Sequence, residues 1–131
     1  MKIRVEIQML PPAELNPNAR VHWSGKSAAV REFRKAAWAE GYNVNPEHDI
    51  IFTRAVVSVT LVLPDYGRQE ADPDNLIAML KPALDGCVDA KILADDKRKN
   101  IRYHMPMVYE VDPLRAPLTI MEFEEDKTCR S

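Results

Sequence analysis

Between Asp72 and Asp96 the chain gathers the side chains best able to do chemistry: Asp72-Pro73-Asp74-Asn75, then Lys81, Asp85, Asp89 and the pair Asp95-Asp96. Asp72 and Asp74 carry like charges two residues apart, and no lysine or arginine stands within three residues of either. Carboxylates crowded in this way suit a hard divalent cation, which takes oxygen ligands from a few acids, water and phosphate. An Asp-x-Asp pair alone more often caps a helix. Pro73, at a position favoured for the first helical residue, makes Asp72 a natural N-cap. The charged residues further along the helix raise the motif above capping. At about 100° per residue, Asp74, Lys81 and Asp85 fall within about 40° of one another. They lie opposite an apolar face of Leu76, Met79, Leu80, Ala83, Leu84 and Cys87. Lys81 then has two readings. One is an i,i+4 ion pair with Asp85, worth a few tenths of a kcal/mol; the other is positive charge placed for a phosphate in its transition state. Asp95-Asp96 comes where the chain turns, and a loop folded back there brings a further carboxylate to the cluster.

Read as DPDNL-x4-KPALDG-x8-DD, the segment resembles the RusA family of Holliday-junction resolvases. The order of elements around it is similar across nearly the whole chain: a strand, Pro11-Pro12, a polar loop, a basic helix, a Val-rich strand, the motif helix and two strands. The resemblance implies that Asp72, Asp74 and Asp96 bind Mg2+, with Mn2+ as a substitute. It implies that Lys81 acts beside the scissile phosphate and that Asn75, Asp85 and Asp95 support these residues. The implied protein is a homodimeric endodeoxyribonuclease that resolves four-way junctions by paired nicks in DNA recombination and repair, leaving 5′-phosphate and 3′-hydroxyl ends. Two departures from the family pattern are visible. Lys81 lies seven residues after Asp74, where better-known members place the lysine one turn closer; both spacings return to one helix face. Arg68 stands alone where members often have an arginine run. Two other activities fit the same residues: a broader nuclease for flaps and forks, and a junction-binding protein without turnover. A nucleotide phosphohydrolase fits less well, because no base or phosphate pocket motif is present.

These residues need elements to position them. Lys2 to Met9 puts Ile3, Val5, Ile7 and Met9 on one side, the alternation of a half-buried strand. After Pro11-Pro12 and a polar loop, Ser27 is the expected N-cap of a helix to about Glu40, with Gly41 as its stop. Thr53 to Leu63 reads as a central strand, and Pro64-Asp65-Tyr66-Gly67 as a turn. The motif helix spans Pro73 to Val88, with a kink expected at Pro82. Strands come next near Lys99 to Met105 and Leu118 to Phe123. The order β-α-β-α-β-β predicts an α+β domain, residues 1–124, with two helices on a mixed or antiparallel four-stranded sheet. Residues 125–131 read as a polar tail.

At 131 residues the chain fits one domain. No run approaches the roughly 18 apolar residues of a membrane span, and the first residues lack a signal-peptide core, so a cytoplasmic protein away from membranes is expected. Two cysteines, Cys87 in an apolar pattern and Cys129 in a charged stretch, do not suggest a disulfide framework. The three histidines are scattered without ligand spacing. The net charge of −2 hides an asymmetry: residues 110–126 hold six acids against Arg115 alone, whereas residues 1–109 carry fifteen bases and fourteen acids. The bases that suit a DNA backbone are Arg20 and Lys26 in the polar loop, Arg31, Arg34 and Lys35 around Trp38 on the first helix, Arg68, and Lys97-Arg98-Lys99 directly after the acid pair.

Overall fold

The computed structural model describes residues 1–65, 73–105 and 107–127. Alternating apolar residues build β1 (Lys2–Ile7), β2 (Ala55–Leu63) and β5 (Leu118–Glu125), with two short strands, β3 (Ile101–Tyr103) and β4 (Val108–Val111), between. The helices are α1 (Trp23–Val44) and α2 (Pro73–Asp89), and a 3-10 turn spans Ala13–Leu15. The protein is a single α+β domain, two helices on a five-stranded mixed sheet. β5 lies between β1 and β2 and is antiparallel to both, while β3 and β4 run parallel to β2 along successive stretches of its other edge. The expected strand at 99–105 is thus shorter, and β4 is an additional one. Its four residues, Val-Tyr-Glu-Val, are half-buried or exposed and give too short an alternation to mark a strand.

The helices cover one face of the sheet. Val5 and Ile7, the alternate β2 residues Ala55, Val57, Val59, Leu61 and Leu63, and Met121 and Phe123 point into that core. Ile3 and Met9 pack at its margin. Register joins the strands within it: Val5 sits opposite Met121, which also faces Val59 across β2. Phe33 and Ala37 of α1 and Leu76, Leu80, Ala83 and Leu84 of α2 close it from above. Val62, Leu118 and Ile120 make a small cluster on the opposite face.

α1 is longer at both ends than the sequence predicts. Its N-cap is His22, whose Nδ1 accepts from the Ser24 amide at 3.2 Å; Ser27 lies inside the helix, where its Oγ accepts from Arg31 at 3.1 Å. Gly41 does not stop the helix. It is buried, and a Cβ there would sit 2.8 Å from Ala90 Cβ and 3.1 Å from Ile92 Cδ1. Gly86 of α2 allows the closest approach of the two helices, since a Cβ there would lie 2.4 Å from the Arg34 carbonyl oxygen. Both glycines are present because neighbouring elements occupy the space of a side chain. α2 runs through Pro82 as one helix.

The end of α2 fixes the loop that carries Asp95 and Asp96. Ile92 N donates to Cys87 O at 3.0 Å and Lys91 N to Val88 O at 2.9 Å, with Lys91 at φ 66°. This is a Schellman closure with lysine in the place usually held by glycine. The chain then runs beside the residues leading into β2: Phe52 N donates to Ile92 O at 3.0 Å and Ala94 N to Phe52 O at 2.9 Å. At the far end Ala55 N donates to Asn100 O at 2.9 Å. Residues 95–99 are therefore a short loop held at both ends by the approach to the central strand. β5 continues to Glu125, and Asp126 is buried, with its amide donating to Arg54 O at 3.1 Å. The folded unit includes the first residues assigned to the tail.

Candidate active site

The loop folds back, and Asp96 meets α2. The Lys81 Nζ donates to Asp85 Oδ1 at 2.6 Å, one turn along the helix, and also to Asp96 Oδ2 from the loop. One ammonium thus joins two carboxylates, the second of them fifteen residues away in sequence. Both carboxylates are about a quarter to a third exposed, and Lys81 is just over half exposed, so the cluster opens to solvent.

Electrostatics follow from this geometry. The Lys81 ammonium, which donates to it, holds the Asp96 carboxyl below the usual carboxylate range, against the opposing effect of partial burial. Burial works against the Lys81 charge, but hydrogen bonds and charge from Asp85 and Asp96 prevail and raise its pKa. Asp95 has a different task. Its Oδ1 accepts from Asn100 Nδ2 at 2.9 Å and from the Lys97 amide at 3.0 Å, which closes the turn and lowers its pKa. Asp95 shapes the loop and Asp96 faces the helix.

Behind the cluster stands half-buried Tyr103 of β3. Its phenol pKa is raised first by burial and then by the negative charge of neighbouring groups, Asp85 and Asp96 among them. Sequence reasoning passes over this tyrosine; the only signal is its place in a strand that comes after the acid loop. Cys87 is fully buried, as its apolar pattern predicts, and burial pushes its thiol up to about 12.

The remaining candidates separate by location. Asp74 is exposed in the first turn of α2 and Asn75 beside it is half-buried. Lys97, Arg98 and Lys99 are exposed on the loop next to Asp96. Arg20 and Lys26 are exposed, one before the start of α1 and one in its first turn. Arg31 and Lys35 are exposed on α1, but Arg34 is engaged: its Nε and Nη2 donate to the two Asp89 oxygens at 2.7 and 3.0 Å. This fork couples α1 to α2 and leaves Arg34 as a positioning residue. Asp72, Arg68 and Cys129 lie outside the described residues. Among the described residues no group of three His, Cys, Asp or Glu side chains is arranged to hold a metal ion.

Chemically, two carboxylates converging on a cation form a donor set of hard oxygens, the kind that suits Mg2+ or Mn2+. Adjacent exposed bases can hold phosphate, and Lys81 can place positive charge against an anion once one carboxylate turns away. No family model matches the chain. Among curated proteins it is similar to an uncharacterized protein of Xylella fastidiosa, at 34% identity over 96 residues, which is 67% of this chain and 57% of that protein. The matched segment therefore spans little more than half the length of that relative.

No helix of the described residues is long and apolar enough to cross a membrane.

Proposed function

We propose that the chain is a metal-dependent endodeoxyribonuclease acting on branched DNA, with the four-way junction as substrate and two copies making paired nicks. The observation that carries this reading is the seating of Lys81 between Asp85 and Asp96, which joins the two halves of the acidic motif at an open surface flanked by Lys97, Arg98 and Lys99. A binding protein without turnover has little use for carboxylates so close to an anionic substrate, because each repels it.

Asp74 and Asp96, with Asp72, are the carboxylates that would hold Mg2+ or Mn2+. When bound, the ion supplies a nucleophile at neutral pH and a clamp on the phosphate. The chain's own residues do the rest. The ammonium of Lys81 offsets charge that builds on the phosphate, and Asp85 holds that ammonium in place when no phosphate is present. Lys97, Arg98 and Lys99 fix the strand by its backbone, without reading sequence. The homodimer follows from the substrate's symmetry, since two opposed strands need two related sites.

The test is cleavage of labelled four-way junction, flap and plain duplex with and without Mg2+, beside Asp74→Asn and Asp96→Asn. Junction cleavage that needs Mg2+ and is lost in both variants, with binding retained, is the expected result. Cleavage unchanged in either variant overturns the metal assignment. Flaps cut as well as junctions make the enzyme a broader structure-selective nuclease, and junction binding without cutting under any condition makes it a binding protein.

A further inference from the structure

One exposed stripe of α1 is not used by the acid cluster. Arg31, Lys35, Trp38 and Tyr42 succeed one another at steps of three or four residues, so they project from nearly the same side of the helix. Trp38 and Tyr42 are 40% and 46% exposed. Their rings lie 5.5 Å apart at 47°, and Tyr42 stacks on His48 at 3.8 Å and 28°. Two aromatic rings thus succeed two cations along about 16 Å of helix, at a rise of about 1.5 Å per residue, and His48 stacks on the second ring from beyond the helix end. No carboxylate is paired with Arg31 or Lys35 among the described residues; the nearby Asp89 is taken by Arg34.

The stripe borders a shallow groove of about 480 Å3 lined by Arg31, Arg34, Lys35, Trp38 and Asp89. That groove adjoins the acid cluster. Asp89 lies one turn beyond Asp85 on α2, and the charges of both Asp85 and Asp96 act on the Arg34 guanidinium. A partner here must offer regularly spaced anions and flat apolar rings together. A peptide strand rarely repeats both, whereas every nucleotide carries one of each. The choice between single and double strands follows from which base faces are open: in a duplex they are covered by neighbouring pairs, and only an unpaired strand can lay a base on an indole.

We infer that Arg31, Lys35, Trp38 and Tyr42 form a docking track for unpaired DNA, with phosphates on the two cations and bases stacked on the two rings. The track leads a single strand towards Asp85 and Asp96, and Arg34 holds the two helices in line without touching the strand. The inference deepens the proposed nuclease reading and rests on it for the direction of the strand, but binding can be measured in the absence of any metal or cutting.

The experiment uses the full chain in EDTA with a fluorescein-labelled oligothymidylate, and an identical duplex as comparator. Trp23→Phe leaves Trp38 as the sole tryptophan reporter. Expected are quenching of Trp38 by the single strand, preference for it over duplex, and affinity about tenfold weaker in Trp38→Ala. Trp38→Phe keeps most of the affinity, which separates stacking from loss of fold. Lys35→Ala weakens binding and lowers the salt slope by about one. Unchanged strand affinity in Trp38→Ala, or no quenching, overturns the inference. So does a result in which Trp38→Ala breaks a dimer in sedimentation and leaves strand binding intact, because the face is then a contact between copies. Strand binding through Trp38 in a chain that cuts nothing refutes the nuclease and leaves the track; Mg2+-dependent cutting indifferent to Trp38 does the reverse.

Discussion

At the scale of single residues, Lys81 is the group on which most depends. Its pKa is raised and that of Asp96 is lowered, so the pair stabilises the fold between two limits. A depressed carboxylate contributes stability above its ordinary range, and the contribution is lost as pH falls through the folded value. A raised ammonium contributes below its usual 10.5 and is lost as pH rises through the folded value. Neutral solution lies inside both limits. Because Lys81 is more than half exposed, solvent screening keeps the pair's contribution to about 1 kcal/mol or less. Lys81→Met removes the ammonium and leaves two carboxylates facing each other. Carbon-detected NMR titration then finds the Asp96 midpoint shifted up to or above its usual 3.8, while the melting temperature changes little. If the ammonium also acts on the phosphate, junction cleavage falls by about a hundredfold or more, as for loss of a preorganised charge. An Asp96 midpoint that does not move would show that Lys81 is not its partner in solution.

Cys87 gives a second prediction at this scale. A thiol that is fully buried and raised to about 12 has almost no thiolate at neutral pH, and the thiolate is the reactive form. In a Cys129→Ser chain, a disulfide reagent at pH 8 leaves Cys87 unmodified until denaturant is added. Rapid labelling of the native chain would place Cys87 at a surface.

At the scale of elements, the helix pair decides where Asp96 and the α1 stripe stand relative to each other. Gly86 is the contact that permits this. A methyl group there meets backbone oxygen at 2.4 Å and Ala37 Cβ at 2.9 Å, and backbone cannot swing away as a long side chain can. Gly86→Ala, although it improves helix propensity by up to about 1 kcal/mol, forces the helices apart and costs about 2–3 kcal/mol net. Urea denaturation checks this through a lowered midpoint at unchanged slope. A stabilised variant would mean that the helices are less closely packed than described. The same contact explains what the sequence hid. Gly41 looks like a helix stop in a one-dimensional reading, because glycine there, as at Gly86, is a statement about a neighbour that only the fold supplies. Likewise α2 is closed by Lys91 at positive φ just beyond its end, where no glycine marks the turn. The motif face was legible, since Lys81 and Asp85 are set four apart by helical geometry alone. The return of Asp96 was legible only as a condition, because it rests on hydrogen bonds from Phe52, Ala55 and Ala94 that join segments far apart in sequence.

At the scale of the whole molecule, stability and metal binding are separate properties that one measurement can connect. The core of β1, β2, β5 and the two helices is closed by apolar side chains, and no described group of acids is needed to complete it. The fold therefore survives EDTA with its melting temperature unchanged, unlike small domains organised around a structural ion. An ion that binds the native chain alone adds stability of RT ln(1 + [L]/Kd), about 1.4 kcal/mol at ten times Kd. In a chain of this size that raises the melting temperature by roughly 4–6 °C. The charge distribution sets the control: Glu122, Glu124, Glu125 and Asp126 concentrate acid towards the end of β5, with Asp126 held by Arg102, and although they are not arranged as an ion site they are the second place where a loosely attracted cation would gather. Variants distinguish the two places. If the acid cluster beside Lys81 is the site, Asp74→Asn or Asp96→Asn abolishes the rise with Mg2+, and Glu124→Gln retains it. A rise that persists in both aspartate variants and disappears in Glu124→Gln moves the ion to the other end of the sheet, and with it removes the metal from the proposed cutting chemistry.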